Sequence, residues 1–514
     1  MRRQLRFFTL FAVLVALLLA RMTAARPHYT DAYYYFNAAE RLVQGDGLTD
    51  TYLWTYSGAP ESLPESGAFP SHLYWMPLTS LVAALGMALG GASFAAAQVP
   101  FALLWAGVAV LGFWLGWKMG GTGRHAWVAG LLALFSGFFV RFWGMTDTFA
   151  PYGFVGALAL ILAGLALEKR HGWLWLAAGI CAGLGHLTRA DGVLLLVVMV
   201  FVGLIRRTHG RMLLLACVGY LLVMTPWFVR NLDAVGTVLP TGGAQAMWYT
   251  TYNDLFNYPP GAEINTFLAG GLALFIDSRS TALLNNLGTF LAVEGLVIMA
   301  PLMLFGLWVR RRDPFVQPFA WYALALHVAM TLIFPFPGYR GGLFHSVAAL
   351  VPWWAALGVI GLDALVDVLA RSRRHWRPRS AKRVFSAGLV LLAVFLSVSL
   401  VTGNRVRANT PGLYRALDDA LPADARVMIN DPAGMYYHTG LGGVVIPNAA
   451  PDVLPEIAER YAVTHLLVET VRGQLAVPEH FAFDPEQPPS FLMPVDIPLP
   501  GARLYAIHAA ITAP

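Results

Sequence analysis

Charge is what this sequence has least of: Asp, Glu, Lys and Arg make up 12% of its 514 residues, against about 25% in an ordinary soluble domain. Hydrophobic residues reach 57% and the mean hydropathy is +0.58. No water-soluble fold has interior enough to hide that much apolar surface, so a bilayer must solvate it. Cysteine is nearly absent. Cys181 and Cys217 both lie inside apolar runs, which excludes a disulfide framework and a cysteine-based zinc site and leaves packing roles. Gly-rich nucleotide cradles, HExxH and GxSxG are missing, as are internal repeats and low-complexity tracts. A nucleotide-driven or zincin-type enzyme therefore has no motif to stand on.

What is present is a series of apolar runs. Lengths of roughly 17 to 23 residues mark about eleven spanning helices, at 6–24, 98–117, 126–141, 149–167, 172–187, 191–206, 211–229, 287–309, 315–334, 346–368 and 385–402. The N-terminal MRRQLRFF and its apolar run resemble a signal peptide. Hydrophobicity continues afterwards, so we read a retained first helix.

The net charge is +6, and the bases sit in short clusters between apolar runs. That pattern suits membrane orientation rather than nucleic acid. Arg2, Arg3 and Arg6, Lys118 and Arg124, Lys169 and Arg170, Arg206, Arg207 and Arg211, Arg310 to Arg312, and RSRRHWRPRSAKR all fall on one side. The positive-inside rule makes that side the cytoplasm, with the N-terminus in it. The stretch HLYWMPLTSLVAALGMALGG (72–91) is apolar enough to span, but counting it would invert every later loop. We read it as an interfacial or re-entrant helix.

The expected fold class is thus an all-α polytopic membrane protein with about 11 transmembrane helices and a small C-terminal extracytoplasmic α/β domain. The membrane domain covers 1–402 and carries outer loops 25–97 and 230–286; the α/β domain covers 403–514. In the latter, helix-like TPGLYRALDDAL and VLPEIAERY alternate with strand-like ARVMIND, GGVVIP, THLLVET and RLYAIH.

Candidate chemistry clusters in the outer connections. Asp31 opens an amphipathic stretch in RPHYTDAYYYFNAAERL; it reads equally as a helix cap and as a reactive carboxylate. The aromatics beside it, Tyr34 among them, suit a membrane interface or a sugar platform. Asp147, in RFWGMTDTFAPYGF, is an N-cap or the partner of Asp31. His186, Arg189 and Asp191 share the turn GLGHLTRADG. There Arg189 either makes a local ion pair or grips a lipid phosphate bidentately. Arg340, between glycines in FPGYRGGLFHS, lies with His345 at the same level as a second cation or as a snorkelling side chain. Arg230 with Asn231 is a further phosphate candidate, and His72, Trp75 and Asp191 are candidates to line a substrate cavity. Glu294 and His327 fall inside apolar helices, where an ionisable residue is a functional hypothesis by default.

In these segments the chain resembles the GT-C membrane glycosyltransferases, and among them the bacterial group of protein mannosyltransferases, aminoarabinose transferases and lipopolysaccharide core galacturonosyltransferases. TDAYYYFNAAERLVQGDGL, HLYWMPLTSLVAAL, MTDTFAPYGF, GLGHLTRADGVLLL and TPWFVRN stand in that family's order. The resemblance implies Asp31 as catalytic or metal-associated carboxylate, Asp147 as a second acid of the site, and Arg189 as the lipid-phosphate contact. Where the family often has a PPL-like turn this chain has Trp75-Met76-Pro77-Leu78. An acidic metal ligand near that turn is not evident unless Glu65 serves, so a divalent metal on Asp31 and Asp147 stays open.

We therefore expect an inverting glycosyltransferase of a bacterial inner membrane. It would transfer a hexosyl or pentosyl unit from a polyprenyl-phosphate sugar to an extracytoplasmic lipid, glycan or protein, in contact with membrane lipids and without nucleic acid. The alternatives are a polytopic transporter or lipid flippase, for which repeats, broken helices and mid-membrane ionisable groups would speak, and a silent scaffold for the α/β domain.

Overall fold

The computed structural model describes residues 1–240, 242–372, 377–403, 406, 410–471 and 474–508. Arg373, Arg374, His375 and Trp376 of the long basic stretch lie outside the described residues, as do 404–405 and 407–409 at the expected domain boundary and 509–514 at the end. The chain divides into two compact units. One comprises Met1–Arg26, Met76–Trp227 and Ile276–Val406; the other comprises Pro27–Trp75, Phe228–Phe275 and Arg407–Pro514. By packing, parts of both long loops thus group with the C-terminal segment.

The first unit is helical, and a helical segment lies on each of the expected spans. Among the described residues, six stretches are long and apolar enough to cross a membrane alone: Arg2–Thr23, Phe94–Gly120, Phe149–Lys169, Gly210–Val235, Pro335–Ser372 and Pro378–Gly403. The protein is a multi-pass membrane protein. Its first helix shows why lipid is required. Phe8, Ala12 and Ala16 are fully buried at a spacing of four, whereas Leu10, Leu14 and Leu18 are 60–61% exposed on the other side. Such a stripe is stable only against hydrocarbon. Small residues let helices touch through their backbones. A Cβ on Gly306 would collide with Leu357 O, and one on Gly361 with Leu302 O, so Ala300–Arg310 and Val351–Ser372 pack at close range.

Two expected segments differ in detail. The helix in 72–91 begins only at Leu78 and ends at Gly90, 13 residues in all. At 1.5 Å per residue that is about 20 Å, short of a hydrocarbon core of about 30 Å. The 287–309 span is broken: a π-helical turn, Thr289–Glu294, is followed by Leu296 and Val297 at φ 43° and 68° before Ala300–Arg310 begins.

The second unit is built on a mixed sheet. Its strands, with two short pairs beside it, are β1 Thr49–Asp50, β2 Tyr52–Leu53, β3 Phe69–Pro70, β4 Arg426–Ile429, β5 Gly442–Val445, β6 His465–Val471, β7 Gln474–Leu475, β8 Leu492–Val495 and β9 Ala502–Ile507. The sheet order is β2-β5-β4-β6-β9-β8. β2, β5, β4 and β6 run parallel, while β9 and β8 add antiparallel. Period-two alternation supplies two cores: Val427, Ile429, Leu467 and Leu504 face one, and Met428, Leu466, Val468 and Tyr505 the other. Both faces are covered, as a parallel sheet requires. The expected helices appear as Gly412–Ala420 and Leu454–Tyr461. A further helix, Pro432–Thr439, and strands β2 and β8 had no clear sequence signal.

Candidate active site

Within the membrane unit, four of the expected site residues fall into one hydrogen-bonded network. The helix Gly172–Thr188 stops where Arg189 turns extended (φ −147°, ψ 139°), and a 3-10 turn, Ala190–Gly192, starts the next helix. Arg189 Nε donates to Asp191 Oδ1 at 3.0 Å and to Ser346 Oγ at 2.8 Å. Nη1 donates to Thr148 Oγ1 at 3.4 Å and Nη2 to Gly342 O at 3.2 Å. Ser346 Oγ in turn donates to Asp191 Oδ2. The guanidinium plane is therefore fixed from several sides before any ligand arrives. The Arg189 side chain keeps 16% of its surface exposed. A planar donor fork held in this way is pre-organised for a phosphate.

Thr148 carries the network on to Asp147. Thr148, not Asp147, is the N-cap residue of Phe149–Lys169. The Asp147 side chain is fully buried. Its Oδ1 accepts the Thr148 N–H at 2.5 Å, and Oδ2 lies 3.3 Å from His345 Nε2. His345 Nδ1 lies 2.8 Å from Gly341 O, and a carbonyl can only accept, so Nδ1 carries a proton. Nε2 then meets the carboxylate either as a donor of an imidazolium or as a lone pair facing a second acceptor. The arrangement calls for a proton or a cation between the two groups. Phe149 stacks on the His345 ring at 4.2 Å and fixes its plane.

Arg340 lies on the π-turn Gly338–Gly342 and is exposed. Gly341 in that turn has φ 131°, which side-chain-bearing residues rarely adopt. The turn thereby presents Gly341 O to His345 and Gly342 O to Arg189. His186 pairs with Tyr220 at 2.5 Å. Deeper in the unit, Glu294 Oε1 lies 3.0 Å from His327 Nε2 and Oε2 accepts from Trp354 Nε1 at 2.8 Å. This pair adjoins the broken span.

The remaining expected residues belong to the second unit. Asp31 sits in the first turn of Thr30–Gln44, whose N-cap is Tyr29, so it meets the helix N-terminus from inside the helix rather than capping it. The aromatics that follow are interior: Tyr33, Tyr34 and Tyr35 are buried, and Tyr33 Oη pairs with His438 Nε2 at 3.1 Å. His72 is fully buried with φ 60°. Its N–H donates to Tyr34 Oη at 2.6 Å and its Nδ1 pairs with Ser71 Oγ at 2.7 Å. Burial, helped by the Arg230 charge, pushes the His72 imidazole down to about 3. Arg230 lies in the last turns of Gly210–Val235. It donates to Leu48 O at 3.1 Å, Ser71 O at 2.9 Å and Asn231 Oδ1 at 3.2 Å, which is the bonding of a loop clamp. Trp75 packs on Tyr34 and Trp54 with centroids 4.4 and 4.1 Å apart. Glu65 is exposed.

Sequence reasoning missed three participants. Thr148 and Ser346 join the Arg189 network, and nothing in their local sequence marks them. Asp50 is 4% exposed, and burial raises its carboxyl to about 7 despite the Tyr34 hydroxyl and the charges of Arg41 and Arg230.

No family model and no curated protein matches the sequence. Solved structures match it by fold. ArnT from Cupriavidus metallidurans bound to undecaprenyl phosphate aligns at TM-score 0.56 and 16% identity, over 99% of this chain and 98% of that one. Its apo state aligns at 0.57 and 15%, with the same coverage. The archaeal oligosaccharyltransferase AglB from Archaeoglobus fulgidus, in complex with an inhibitory peptide and a dolichol-phosphate, aligns at 0.55 and 13%, over 90% of this chain and 69% of that one. These neighbours are GT-C glycosyltransferases. At such identities the likeness is one of fold, and the fold of this chain is theirs.

Proposed function

We propose that this protein is a glycosyltransferase that moves a sugar from a polyprenyl-phosphate donor to an extracytoplasmic lipid, glycan or protein. One observation carries the reading: Arg189 is held by Asp191, Ser346, Thr148 and Gly342 O, and Thr148 ties it to the buried Asp147–His345 pair. A fixed guanidinium beside a buried acid–imidazole pair suits a phosphate leaving group. The fold neighbours support the lipid class, one being solved with undecaprenyl phosphate and another with a dolichol-phosphate.

In the proposed step an acceptor hydroxyl attacks the anomeric carbon from the face opposite the phosphate. The C–O bond to phosphate breaks, the electron pair leaves with the lipid phosphate, and the configuration inverts. Arg189, with Arg340 as a second cation, binds that phosphate and stabilises the charge gathering on it. Asp31 takes the hydroxyl proton. This role rests on its sequence position as the first acid after the first helix, in a stretch resembling the GT-C site. Asp147 and His345 hold a proton or a divalent cation. Two facing acceptors of oxygen and imidazole type suit such a cation; the resemblance in sequence adds Asp31 as a candidate for the same role. A bound cation would screen the negative charge of the donor phosphate. We assign the chain to a bacterial inner membrane with its N-terminus in the cytoplasm, following its basic clusters.

The test is incubation of the purified protein with polyprenyl-phosphate sugars, with products read by mass spectrometry. Transfer that disappears in Asp31→Asn and Asp147→Asn supports the proposal; unimpaired turnover in Asp31→Asn removes the base. A transporter or lipid flippase has one observation in its favour, the Glu294–His327 pair beside a broken helix. Sugar or lipid translocation in proteoliposomes without product formation would establish it.

A further inference from the structure

The helix that ends at Arg189 begins at a second concentration of charge, which the transfer step does not use. Gly172–Thr188 is 17 residues long, so at 1.5 Å per residue its start lies about 25 Å from the Arg189 turn. Three helix ends meet there. A Cβ on Gly172 would touch Leu215 Cδ1 at 2.9 Å, one on Gly219 would collide with Leu176 O, and one on Gly203 would press on Leu213 and Trp175. Gly172–Thr188 and Gly210–Val235 therefore run side by side from a common level, with the end of Val193–Ile205 against both. That packing gathers the turns that join them. Lys169, Arg170, Arg206, Arg207 and Arg211 stand exposed on these turns, together with His171 and His209.

The positive charge is not neutralised locally. Two acids lie on the adjoining turns, and each is engaged by a further base: Glu168 by Lys118 at 2.8 Å and Asp313 by Arg310 at 3.4 Å. Arg206 Nε donates to the neutral Gln317 Oε1 at 2.6 Å. Orientation in a membrane needs only that bases collect on one side; it does not need three turns packed together with no acid left to pair them. Beyond the cations the surface becomes apolar at once, with Trp173, Leu204, Ile205 and Leu214 52–63% exposed. A ligand for this surface needs an anionic head and a hydrocarbon body. A soluble phosphate meets only the first demand, and a zwitterionic lipid brings its own ammonium towards the arginines. We infer that this surface binds an anionic phospholipid, its phosphate held by Arg170, Arg207 and Arg211 and its acyl chains lying along Trp173, Leu204, Ile205 and Leu214. Basic clusters at the ends of membrane helices attract such headgroups, and an exposed Trp suits the headgroup level.

The experiment is native mass spectrometry of the full-length protein in detergent, titrated with phosphatidylglycerol, cardiolipin and phosphatidylethanolamine, and separately with inorganic phosphate as competitor. Phosphatidylglycerol or cardiolipin should bind about tenfold or more tightly than phosphatidylethanolamine, and millimolar phosphate should not displace it. That preference should fall about tenfold or more in the triple variant Arg170→Gln, Arg207→Gln, Arg211→Gln, since each base near an anionic headgroup contributes to the attraction. The triple variant Arg377→Gln, Arg379→Gln, Arg383→Gln removes the same charge from another basic stretch and should change it less than about threefold. Thermal unfolding checks that both variants are folded, and the comparison of lipids in the wild type needs no variant. The inference is overturned if phosphatidylethanolamine binds as tightly as the anionic lipids, if phosphate displaces them, if the first variant binds like wild type, or if both variants lose the preference equally. No turnover is read, so this result and that of the transfer assay stand or fall separately.

Discussion

Replacing Arg189 by lysine separates the proposed chemistry from structural damage. Alanine would strand Asp191 and Ser346, and breaking a buried ion pair costs about 3–5 kcal/mol, somewhat less here because the two side chains keep 16% and 18% exposure. Lysine preserves the charge beside Asp191 but loses the planar fork. It can reproduce at most part of the contacts to Asp191, Ser346, Thr148 and Gly342 O. At about 0.5–1.5 kcal/mol per net hydrogen bond, Arg189→Lys should lose about 1–3 kcal/mol of stability and remain folded. Turnover should suffer more. A pre-organised donor aimed at developing charge is worth about 10²- to 10³-fold in rate, and a flexible ammonium recovers little of that orientation. The assay is kcat/KM for transfer from a polyprenyl-phosphate sugar, beside thermal unfolding in detergent. A folded Arg189→Lys protein within about threefold of wild-type turnover would refute the reasoning, since Arg189 would then not act on the leaving phosphate.

Further outcomes follow from the same geometry. His345→Gln should lower turnover about 10²-fold by removing the imidazole facing Asp147; if a divalent cation is held there, chelation should abolish wild-type activity and added metal restore it, as read by product formation. Gly341→Ala forces a side chain onto φ 131° and should cost about 1–3 kcal/mol in unfolding measurements, with Arg189 and His345 losing their carbonyl partners together. Stability should depend on pH through Asp50. Asp50 has a folded pKa of about 7 against about 3.9 unfolded, so it stays protonated in the fold below 7 and becomes a full acceptor above it. Thermal unfolding measured across this pH range reads the effect. Stability linked to this one group falls as pH rises from about 4 to 7 and is level beyond.

Much of the membrane fold could be read directly because lipid imposes a simple demand. Apolar runs had to become helices, and basic clusters marked their ends. Asp147, Arg189, Asp191 and His345 were legible for a related reason, since polar residues at the ends of apolar helices stand out. Ser346 and Thr148 did not stand out, because a hydroxyl beside an apolar helix is common and only tertiary packing brings these two to Arg189. Asp50 did not stand out either, because its burial depends on tertiary structure such as its pairing with Phe69. β2 has only two residues, too few for a periodic signal, and its partner β5 lies near the far end of the chain. The π-turns at Thr289–Glu294 and Gly338–Gly342 are likewise set by packing rather than by local pattern.

A structure of the protein with undecaprenyl phosphate tests the central assignment most directly. The phosphate should sit within hydrogen-bond distance of the Arg189 guanidinium, about 2.7–3.2 Å, with its prenyl tail leading into the lipid. A phosphate bound elsewhere, with Arg189 still engaged only by Asp191, Ser346, Thr148 and Gly342 O, would contradict the account.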